Sequence, residues 1–454
     1  PTKAVRPGED SQISTTYADW KEMSGLLTPQ RGTVDETDVP SYSWDRKSIQ
    51  TLNGSDGKEF EPLANGPSDI HVAGPMEPIP FNFDNDHIIF KVGVNKGKPM
   101  WWLLDTGADV NVVNTAHLAD FGLETYGKTT TTGGGGSADY GYARGATFVF
   151  PGVELRNQHV SILDQTGIER AYGMILGGIL GYDFLSRFVV EIDYEKLLLT
   201  LHDSKNWEYR GSGFVVSITI DDGIPYADAT ISAGTKDAIP ANMIIDFGAA
   251  ETMTLTAPFV KANDLLIQAG TNSSVNKMAG LENQFFSQTN VRGRINRLVM
   301  GGLVVDSFPV NLSVNTKGAF ASTSFSGTVG EGIYHRYHIY LDYARNRIIL
   351  EPTAEASKPY AERKTYGMTL LASGADYHTY TVAGVRAGSP AETDGFRKED
   401  VISDLDGQTS SQFTLAELRK RLAEDGQRHE LKVKRGDSTL AKSVEIRRVS
   451  IEQK

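Results

Sequence analysis

The sequence predicts a mainly β protein made of two pseudo-symmetric lobes, followed by a smaller α+β domain. Three observations favour this fold class: an internal duplication, alternating Val/Ile/Phe/Thr stretches punctuated by glycine, and a change of pattern near residue 357. The chain has 454 residues. That length is too great for one hydrophobic core and suits about three domains of typical size.

The duplication is clearest in a block that aligns without a gap. Gly178 to Gly181 and Gly327 to Gly330 are each followed, at a constant offset of 149, by an arginine and an Asp-Tyr pair. The matching residues are Arg187 and Arg336, Asp193 and Asp342, and Tyr194 and Tyr343. A period of this size with two copies predicts two similar lobes, because solenoid repeats are much shorter.

Two aspartates lie at matching points of the copies. Asp105-Thr106-Gly107-Ala108 and Asp246-Phe247-Gly248-Ala249 each follow a short apolar run that we predict to be a buried strand. Either tetrapeptide alone is weak support, since an Asp-Thr/Ser-Gly tripeptide arises by chance in roughly one of several chains this long. Because the surroundings repeat as well, we predict that the two turns form one shared site.

Four segments are expected along the chain. Residues 1–78 are polar and rich in Pro, Gly and Asp, and we assign this N-terminal extension no chemistry. The first lobe is expected over residues 79–205 and the second over residues 206–356. Residues 357–454 change to short strands and one clear helix, Leu415 to Leu422, with leucines on one face.

Composition narrows the classes of function. A net charge of −12 without a basic cluster argues against nucleic acid or an anionic membrane surface as a partner. No apolar run reaches the roughly 18 to 20 residues needed to span a bilayer. The absence of cysteine excludes disulfides, thiolate catalysis and Cys-type zinc sites. His335 and His338 lack a carboxylate at metal-ligand spacing, so we expect surface histidines and no metal.

The first Asp turn after an apolar strand, the Gly-rich hairpin and the later apolar-apolar-Gly turn resemble those of retropepsin-like aspartic proteases. The resemblance covers roughly residues 80–352 and implies two retropepsin-like β-barrel lobes fused in one chain, in a pepsin-like bilobal arrangement. It implies that Asp105 and Asp246 are catalytic and share one proton, because two adjacent carboxylates cannot both ionise. The ionised aspartate then activates water while the protonated one polarises the scissile carbonyl, so no metal, other cofactor or covalent intermediate is needed.

The residues beside the aspartates support them in the family. They are Thr106, Gly107, Ala108, Phe247, Gly248 and Ala249. The glycines lack a Cβ and so let each turn fold tightly against its carboxylate. Phe247 replaces the usual Thr or Ser, which leaves Thr106 without a hydroxyl partner and predicts a weaker brace between the lobes. Ala108 and Ala249 replace the Ser usual in pepsin-like enzymes. Without that hydroxyl donor the optimum is expected to be weakly acidic to near neutral.

A Gly-rich hairpin is expected to cover the cleft. Gly133, Gly134, Gly135 and Gly136 lie 28 to 31 residues after the first aspartate, where retropepsins carry a mobile flap. A flexible linker is the plainer interpretation. Asn276 to Gly280 is the counterpart in the second lobe. Tyr140 or Tyr142 is expected either to line the cleft or simply to pack. Asp109 resembles the retropepsin aspartate that orients the substrate backbone.

The C-terminal residues 365–451 resemble a PDZ domain. Tyr366, Gly367, Met368, Thr369 and Leu370 stand where that family has its carboxylate-binding loop, and three further segments match in order: 387–391, 398–402 and 405–407. The resemblance implies that an extended peptide binds as an added strand beside the loop, with the helix from Leu415 as the other wall. A packing module with an empty groove is the alternative.

Together these features predict an aspartic endopeptidase whose PDZ domain recruits protein substrates, similar to bacterial fusion proteins of that layout. Its expected partners are a protein or peptide substrate and a C-terminal peptide ligand, and its expected location is periplasmic or otherwise extracytoplasmic. A second interpretation is a catalytically silent peptide-binding scaffold, which Phe247 favours and the intact aspartate pair opposes. In a third, two chains each donate Asp105 and the second lobe is structural.

Overall fold

The computed structural model describes residues 2–4, 13–23, 25–36, 39–47, 69–133, 136–270, 273–281, 284–360, 365–424 and 426–446. Contacts divide the chain into two compact units, Pro1–Ser68 and Asp69–Lys454. The first unit holds β1 (Thr2–Ala4), β2 (Ile13–Ala18), β3 (Lys21–Met23), β4 (Leu26–Thr28), β5 (Arg31–Glu36) and β6 (Val39–Asp45). Strands β1, β2, β5 and β6 form an antiparallel sheet in that order, and β3 pairs with β4.

Lobe 1 opens the second unit and is a β-barrel. Its strands are β7 (Ile70–Val72), β8 (Ile79–Asp84), β9 (His87–Val94), β10 (Met100–Leu104), β11 (Val112–Asn114), β12 (Tyr126–Gly133), β13 (Gly136–Phe150), β14 (Val153–Leu163), β15 (Leu176–Leu180), β16 (Phe188–Asp193) and β17 (Leu198–Asp203). Its α-helices are α1 (Leu118–Phe121), α2 (Thr166–Tyr172) and α3 (Tyr182–Leu185). Strand β13 pairs with both β14 and β9, which closes the barrel.

Lobe 2 repeats this design. Its strands are β18 (Phe214–Ser217), β19 (Thr219–Asp221), β20 (Ile224–Ala233), β21 (Lys236–Asp246), β22 (Met253–Leu255), β23 (Ser273–Leu281), β24 (Gln284–Met300), β25 (Leu303–Ser313), β26 (Gly327–Gly330), β27 (Tyr337–Asp342) and β28 (Arg347–Pro352). Its α-helices are α4 (Ala257–Ala262), α5 (Leu265–Gln268) and α6 (Glu331–Tyr334). Strands β20-β21-β26-β22-β25-β24-β23 follow the order of β9-β10-β15-β11-β14-β13-β12 in lobe 1. This shared order confirms the two pseudo-symmetric lobes that the duplication predicts.

A sheet between the lobes joins the two copies. Strand β16 of lobe 1 pairs antiparallel with its counterpart β27 of lobe 2, with Val190 opposite Leu341 and Ile192 opposite Ile339. The hairpin partners β17 and β28 extend this sheet on either side. One hydrophobic core runs through both lobes. Because equivalent strands pair with each other, the matching turns of the two lobes are brought to one interface.

The C-terminal domain is α+β, as predicted. Its elements are β29 (Met368–Ser373), β30 (Thr379–Val385), α7 (Pro390–Thr393), β31 (Val401–Leu405), β32 (Gln408–Thr409), α8 (Leu415–Leu422), β33 (Arg428–Arg435) and β34 (Ser438–Glu445). Helix α8 has the bounds that the leucine pattern predicts, and its leucines are buried in a separate core. A capping box begins it, since Thr414 Oγ1 accepts from the Glu417 N–H at 3.2 Å and Glu417 Oε2 accepts from the Thr414 N–H at 2.8 Å.

Short 3-10 helices complete the described chain, at Thr115–His117, Ala319–Ala321, Tyr343–Arg345, Ala354–Ser357 and Ser410–Gln412. Among the helices that the structure describes, none has both the length and the apolar character required to span a bilayer.

Candidate active site

The two aspartates are placed by equivalent strand ends. Asp105 directly follows β10, and Asp246 is the last residue of β21. In each lobe a parallel neighbour supports the turn: the Asp105 N–H donates to Leu180 O at 3.0 Å, and β21 pairs with β26 so that Asp246 lies opposite Gly330. A Cβ at Gly181 would lie 2.5 Å from Val110 O, so this repeated glycine is required by close packing against the turn.

The two carboxylates meet in front of the turn glycines. A Cβ added to Gly107 would lie 3.0 Å from Asp246 Oδ1 and 3.1 Å from Asp105 Oδ1. One added to Gly248 would lie 2.5 Å from Asp105 Oδ2. Each turn also orients its own carboxylate, since the Gly107 N–H donates to Asp105 Oδ1 at 2.7 Å and the Gly248 N–H donates to Asp246 Oδ1 at 3.0 Å. The structure therefore brings Asp105 and Asp246 together at one site.

The protonation of Asp105 is set mainly by burial. Burial raises the pKa of this carboxyl from 3.8 to about 6, although the N–H groups of Gly107 and Gly248 stabilise the charged form and oppose the shift. The negative charge of Asp109 raises the pKa further. A carboxyl that titrates in this range can hold a proton under weakly acidic conditions, as one member of a proton-sharing pair must.

The pH dependence of cleavage follows from this shift. We expect a bell-shaped profile of kcat/KM that peaks at about pH 5 to 7, because the singly protonated pair is lost as pH rises above the pKa of Asp105. A variant with Ala108→Ser and Ala249→Ser gains hydroxyl donors to the charged carboxylates, so its peak should move toward acid. The measurement is peptide hydrolysis from pH 3 to 8. An unmoved peak would show that burial alone sets the titration.

A hydroxyl on the first turn bonds across to the second. Thr106 Oγ1 donates to Ile245 O at 2.6 Å and accepts from the Phe247 N–H at 2.9 Å. Thr106 thus has two backbone partners in lobe 2, although it has no hydroxyl partner there. Phe247 is fully buried and stacks on Tyr334, with ring centroids 4.7 Å apart and planes at 4°. The first turn is therefore linked to the second by hydrogen bonds of Thr106. At the equivalent position of the second turn, an aromatic stack replaces such a hydrogen bond.

Replacing Thr106 by valine tests this brace. The substitution keeps the shape but leaves a buried N–H and a buried C=O unpaired, each costing about 1–3 kcal/mol. We expect a lower free energy of unfolding in urea, together with a lower kcat. Thr106→Ser is the matched control because it retains the hydroxyl, and it should keep most of both quantities. Equal loss in the two variants would assign the effect to packing of the methyl group.

The other predicted cleft residues lie as follows. Gly133 and Gly136 pair as the end of β12 and the start of β13, whereas Gly134 and Gly135 lie outside the described residues. Tyr140 pairs with Thr129 in the same hairpin, and Asn276 to Gly280 lie within β23. Ala108 and Ala249 are half-buried beside the turns, and Asp109 is exposed.

The expectation of surface histidines needs correction. His338 Nε2 lies 2.8 Å from Glu191 Oε1, and His335 Nδ1 lies 2.6 Å from Glu331 O. Both histidines are half-buried. The reason for His338 is that β27 faces β16 across the sheet between the lobes, which places Glu191 beside it. Across the described ranges, no group of three or more His, Cys, Asp or Glu is arranged to hold a metal ion.

The predicted PDZ loop leads into β29. Tyr366 and Gly367 precede the strand, and Met368, Thr369 and Leu370 are its first residues. Gly367 has a φ of +88° and would clash with Ser389 if it carried a side chain, so the loop requires glycine here. Its N–H donates to Thr365 Oγ1 at 2.9 Å.

Sequence reasoning missed a buried histidine beside the second turn. His87 Nε2 lies 2.9 Å from Gly248 O, and Nδ1 lies 2.8 Å from Asn85 O. Its ring packs edge-on against Tyr172, with centroids 5.7 Å apart. Each of these carbonyl oxygens accepts a hydrogen bond only from a ring nitrogen that carries a proton. A single histidine at the start of a strand gives no sequence signal for this position.

A buried glutamate near the second aspartate was also missed. Glu331 follows Gly330 and is fully buried, and the Tyr194 hydroxyl lies 2.7 and 2.8 Å from its two carboxyl oxygens. Burial holds the pKa of Glu331 well above its usual value, and the hydrogen bond from Tyr194 opposes the shift. The duplication gave no signal, because lobe 1 has Tyr182 at the matching position.

Parts of the chain are similar to known protein families. Residues 90–184 match the family described as aspartyl protease, and residues 381–435 match the PDZ domain. No curated protein matches the chain. A solved structure, the aspartic proteinase from Irpex lacteus, is 13% identical with a TM-score of 0.42, and covers 63% of this chain and 100% of that chain. Residues 90–184 of the first lobe are thus similar to aspartyl proteases, and residues 381–435 are similar to PDZ domains, as the sequence resemblance predicts. Asp105 lies within the matched residues and Asp246 outside them.

Proposed function

We propose that the protein is an aspartic endopeptidase that hydrolyses peptide bonds with a water activated between Asp105 and Asp246. The observation that carries this proposal is the meeting of both carboxylates in front of Gly107 and Gly248. The bonds of Thr106 to the opposite turn support it, because they fix one turn against the other. The role of Asp246 is proposed from this geometry together with the family resemblance. The role of the PDZ groove is proposed on the same two grounds.

The reaction needs one proton on the pair. The ionised aspartate takes a proton from water as its oxygen attacks the scissile carbonyl carbon, while the protonated aspartate donates to the carbonyl oxygen. A proton then passes from one carboxyl to the leaving amine as the C–N bond breaks, and a hydroxyl of the tetrahedral gem-diol gives its proton to the other carboxylate. The pair therefore again holds one proton. A pKa of about 6 for Asp105 makes it a reasonable holder of that proton in weak acid.

A silent peptide-binding scaffold is the second candidate. Phe247 favours it, because this side chain replaces a hydroxyl that active relatives use to brace the pair. The retained bonds of Thr106 favour the peptidase, since the opposite backbone is held without that hydroxyl.

Cleavage of an unstructured protein by the full chain separates these candidates. We expect new N-termini in the products at about pH 5 to 7, inhibition by a statine-containing transition-state analogue, and no cleavage by an Asp105→Asn, Asp246→Asn double variant. Binding of the analogue without cleavage at any pH from 3 to 8 would favour the scaffold. Cleavage by the double variant would point to a contaminating protease.

The PDZ domain is proposed to recruit protein substrates. Binding a substrate's tail raises the effective concentration of its scissile segment, up to the millimolar range for a short linker. A location outside the cytoplasm likewise remains a proposal.

Deleting residues 357–454 is expected to raise KM for whole proteins. A matched pair of substrates, with and without a C-terminal tail but with one scissile segment, isolates the tethering effect. The sequence alone predicts nearly unchanged turnover of short peptides after deletion. In the structure, however, the Tyr377 hydroxyl of the PDZ domain donates to Glu169 of lobe 1, so we also expect deletion to lower kcat on short peptides. Equal KM for both substrates would contradict recruitment.

A further inference from the structure

The PDZ domain has one sheet edge beside its long helix. Strand β29 ends the sheet and pairs only with β30 among the described strands. Helix α8 lies next to it, and Arg419 Nη2 donates to Leu370 O at 2.8 Å. The groove between β29 and α8 is where an added peptide strand would pair with backbone groups of β29.

Residues of lobe 1 occupy part of this groove. Arg170 Nε donates to Ala372 O at 3.3 Å. A Cβ on Gly173 would lie 2.6 Å from Leu415 Cβ and 3.4 Å from Ala372 Cβ, so its backbone lies between helix α8 and strand β29. The Tyr377 hydroxyl donates to Glu169 Oε2 at 2.7 Å beside the groove. Residues 169–173 therefore cover backbone that a peptide ligand would use.

The covered interface is not fully satisfied. Arg419 Nη1 and Asp84 Oδ2 are both buried at the junction of the PDZ domain and lobe 1, and neither has a hydrogen-bond partner among the described residues. A buried polar group without a partner costs free energy. A ligand that displaces residues 169–173 therefore gives up less than it would at a fully hydrogen-bonded junction.

The same segment of lobe 1 contacts residues that support the candidate active site. Glu169 Oε1 accepts from the Leu176 N–H at 2.9 Å, at the start of the strand that supports the Asp105 turn. Tyr172, in the same helix, packs on His87, whose Nε2 contacts Gly248 O. Helix α2 thus contacts the PDZ groove through Arg170, and it contacts residues that position both aspartates through Glu169 and Tyr172.

We propose that residues 169–173 and the C-terminal tail of a protein ligand compete for the PDZ groove, and that ligand binding releases helix α2 from the site. The ligand is an extended peptide with a free carboxylate and an apolar last residue, because the groove offers an edge strand, a glycine loop and the Leu415 side chain that Gly173 approaches. Docking and ligand binding are reciprocal, so each weakens the other by the same factor. The effect on turnover rests on the proposed peptidase function, whereas the competition does not.

The test uses the full chain with Asp105→Asn, so that no peptide is cleaved. The probes are fluorescein-labelled decapeptides with a free C-terminus that differ only in the last residue, Val, Leu, Ile or Phe, with amidated forms for comparison. Gly173→Ala adds a Cβ that clashes with Leu415. Gly122→Ala is the matched control: both glycines end helices in the left-handed region, with φ of +67° and +62°, but a Cβ at Gly122 meets nothing within 4 Å.

We expect Gly173→Ala to bind the free-carboxylate peptide about fivefold or more tightly than Gly122→Ala does. Tyr377→Phe, which removes only the hydroxyl on Glu169, should shift affinity in the same direction if Gly173→Ala folds poorly. Adding the tightest peptide to the Asp105→Asn chain should speed hydrogen exchange across residues 169–176. Equal affinities, unchanged exchange on binding, or no binding by any peptide would each overturn the proposal.

An activity measurement completes the test in the chain that retains Asp105. The peptide, or Gly173→Ala, should lower kcat on short substrates, and Gly122→Ala should leave it unchanged. Competition and exchange without any cleavage would leave the interface proposal standing and reject the peptidase function. Cleavage that is insensitive to a bound peptide would reject the coupling and leave the peptidase function standing.

Discussion

Replacing either Asp105 or Asp246 by asparagine should lower cleavage of an unstructured protein by about 10³-fold or more, since an amide can neither act as a base nor share the proton. Both side chains contribute to one site in front of Gly107 and Gly248, so both losses are expected to be similar. The measurement is kcat/KM near the pH optimum. The Asp105→Asn, Asp246→Asn double variant gives the background rate of cleavage.

The thermal stability of the variants distinguishes this loss of cleavage from a loss of folding. The folded state raises the pKa of Asp105 to about 6, so ionisation of this group lowers stability as pH rises from 3.8 through that value. Asp105→Asn should therefore raise the Tm more at pH 7 than at pH 4.

If Asp246→Asn kept most of its activity while Asp105→Asn did not, two chains would each supply Asp105, and the active species should then sediment as a dimer.

Adding one methyl group at Gly248 should lower kcat by about 10²-fold or more. The new Cβ would lie 2.5 Å from Asp105 Oδ2, which forces the carboxylate to move, and displacements of about 1 Å carry losses of that size. Gly107→Ala should be milder, because its Cβ would lie 3.0 Å from the nearest carboxylate oxygen. Rates on a short peptide and a crystal structure of Gly248→Ala check the prediction.

Gly302→Ala is the control for the glycine series. It lies in the same lobe, and the nearest atoms to its Cβ would be those of Phe214, at an ordinary 3.6 Å. Its kcat should match that of the parent. A Gly248→Ala protein with normal turnover would mean that Asp105 does not face this turn during catalysis, and would remove the geometric basis of the proposed function.

The features that the sequence predicts well are those that repeat or follow a period. The duplicated block located two lobes with the same strand order, and the leucine spacing located α8 with its correct bounds. The sequence shows Gly181 and Gly330 as a repeated pair, and the structure supplies the close packing that requires them. Repetition reveals positions that serve the same physical role twice.

Features that depend on a single contact between distant residues were not predictable. Glu169 and Tyr377 meet through the packing of two different domains, and neither belongs to a repeat or a period. His87 and Glu331 are likewise single polar residues within apolar surroundings, where the sequence pattern indicates only a strand end or a turn. The partner of Thr106 was missed for a different reason: the hydroxyl bonds to backbone, which every residue has.

The unequal pair Thr106 and Phe247 carries a consequence for how such a site changes over generations. In a symmetric dimer encoded by one gene, any substitution at this position appears on both sides of the interface at once. In a fused chain the two positions change independently. Thr106 can therefore keep its hydroxyl bonds to the backbone of Ile245 and Phe247 while the side chain of Phe247 stacks on Tyr334. The substitution Phe247→Thr therefore tests whether the second turn still accepts the residue of the first, since threonine would leave Tyr334 facing a cavity.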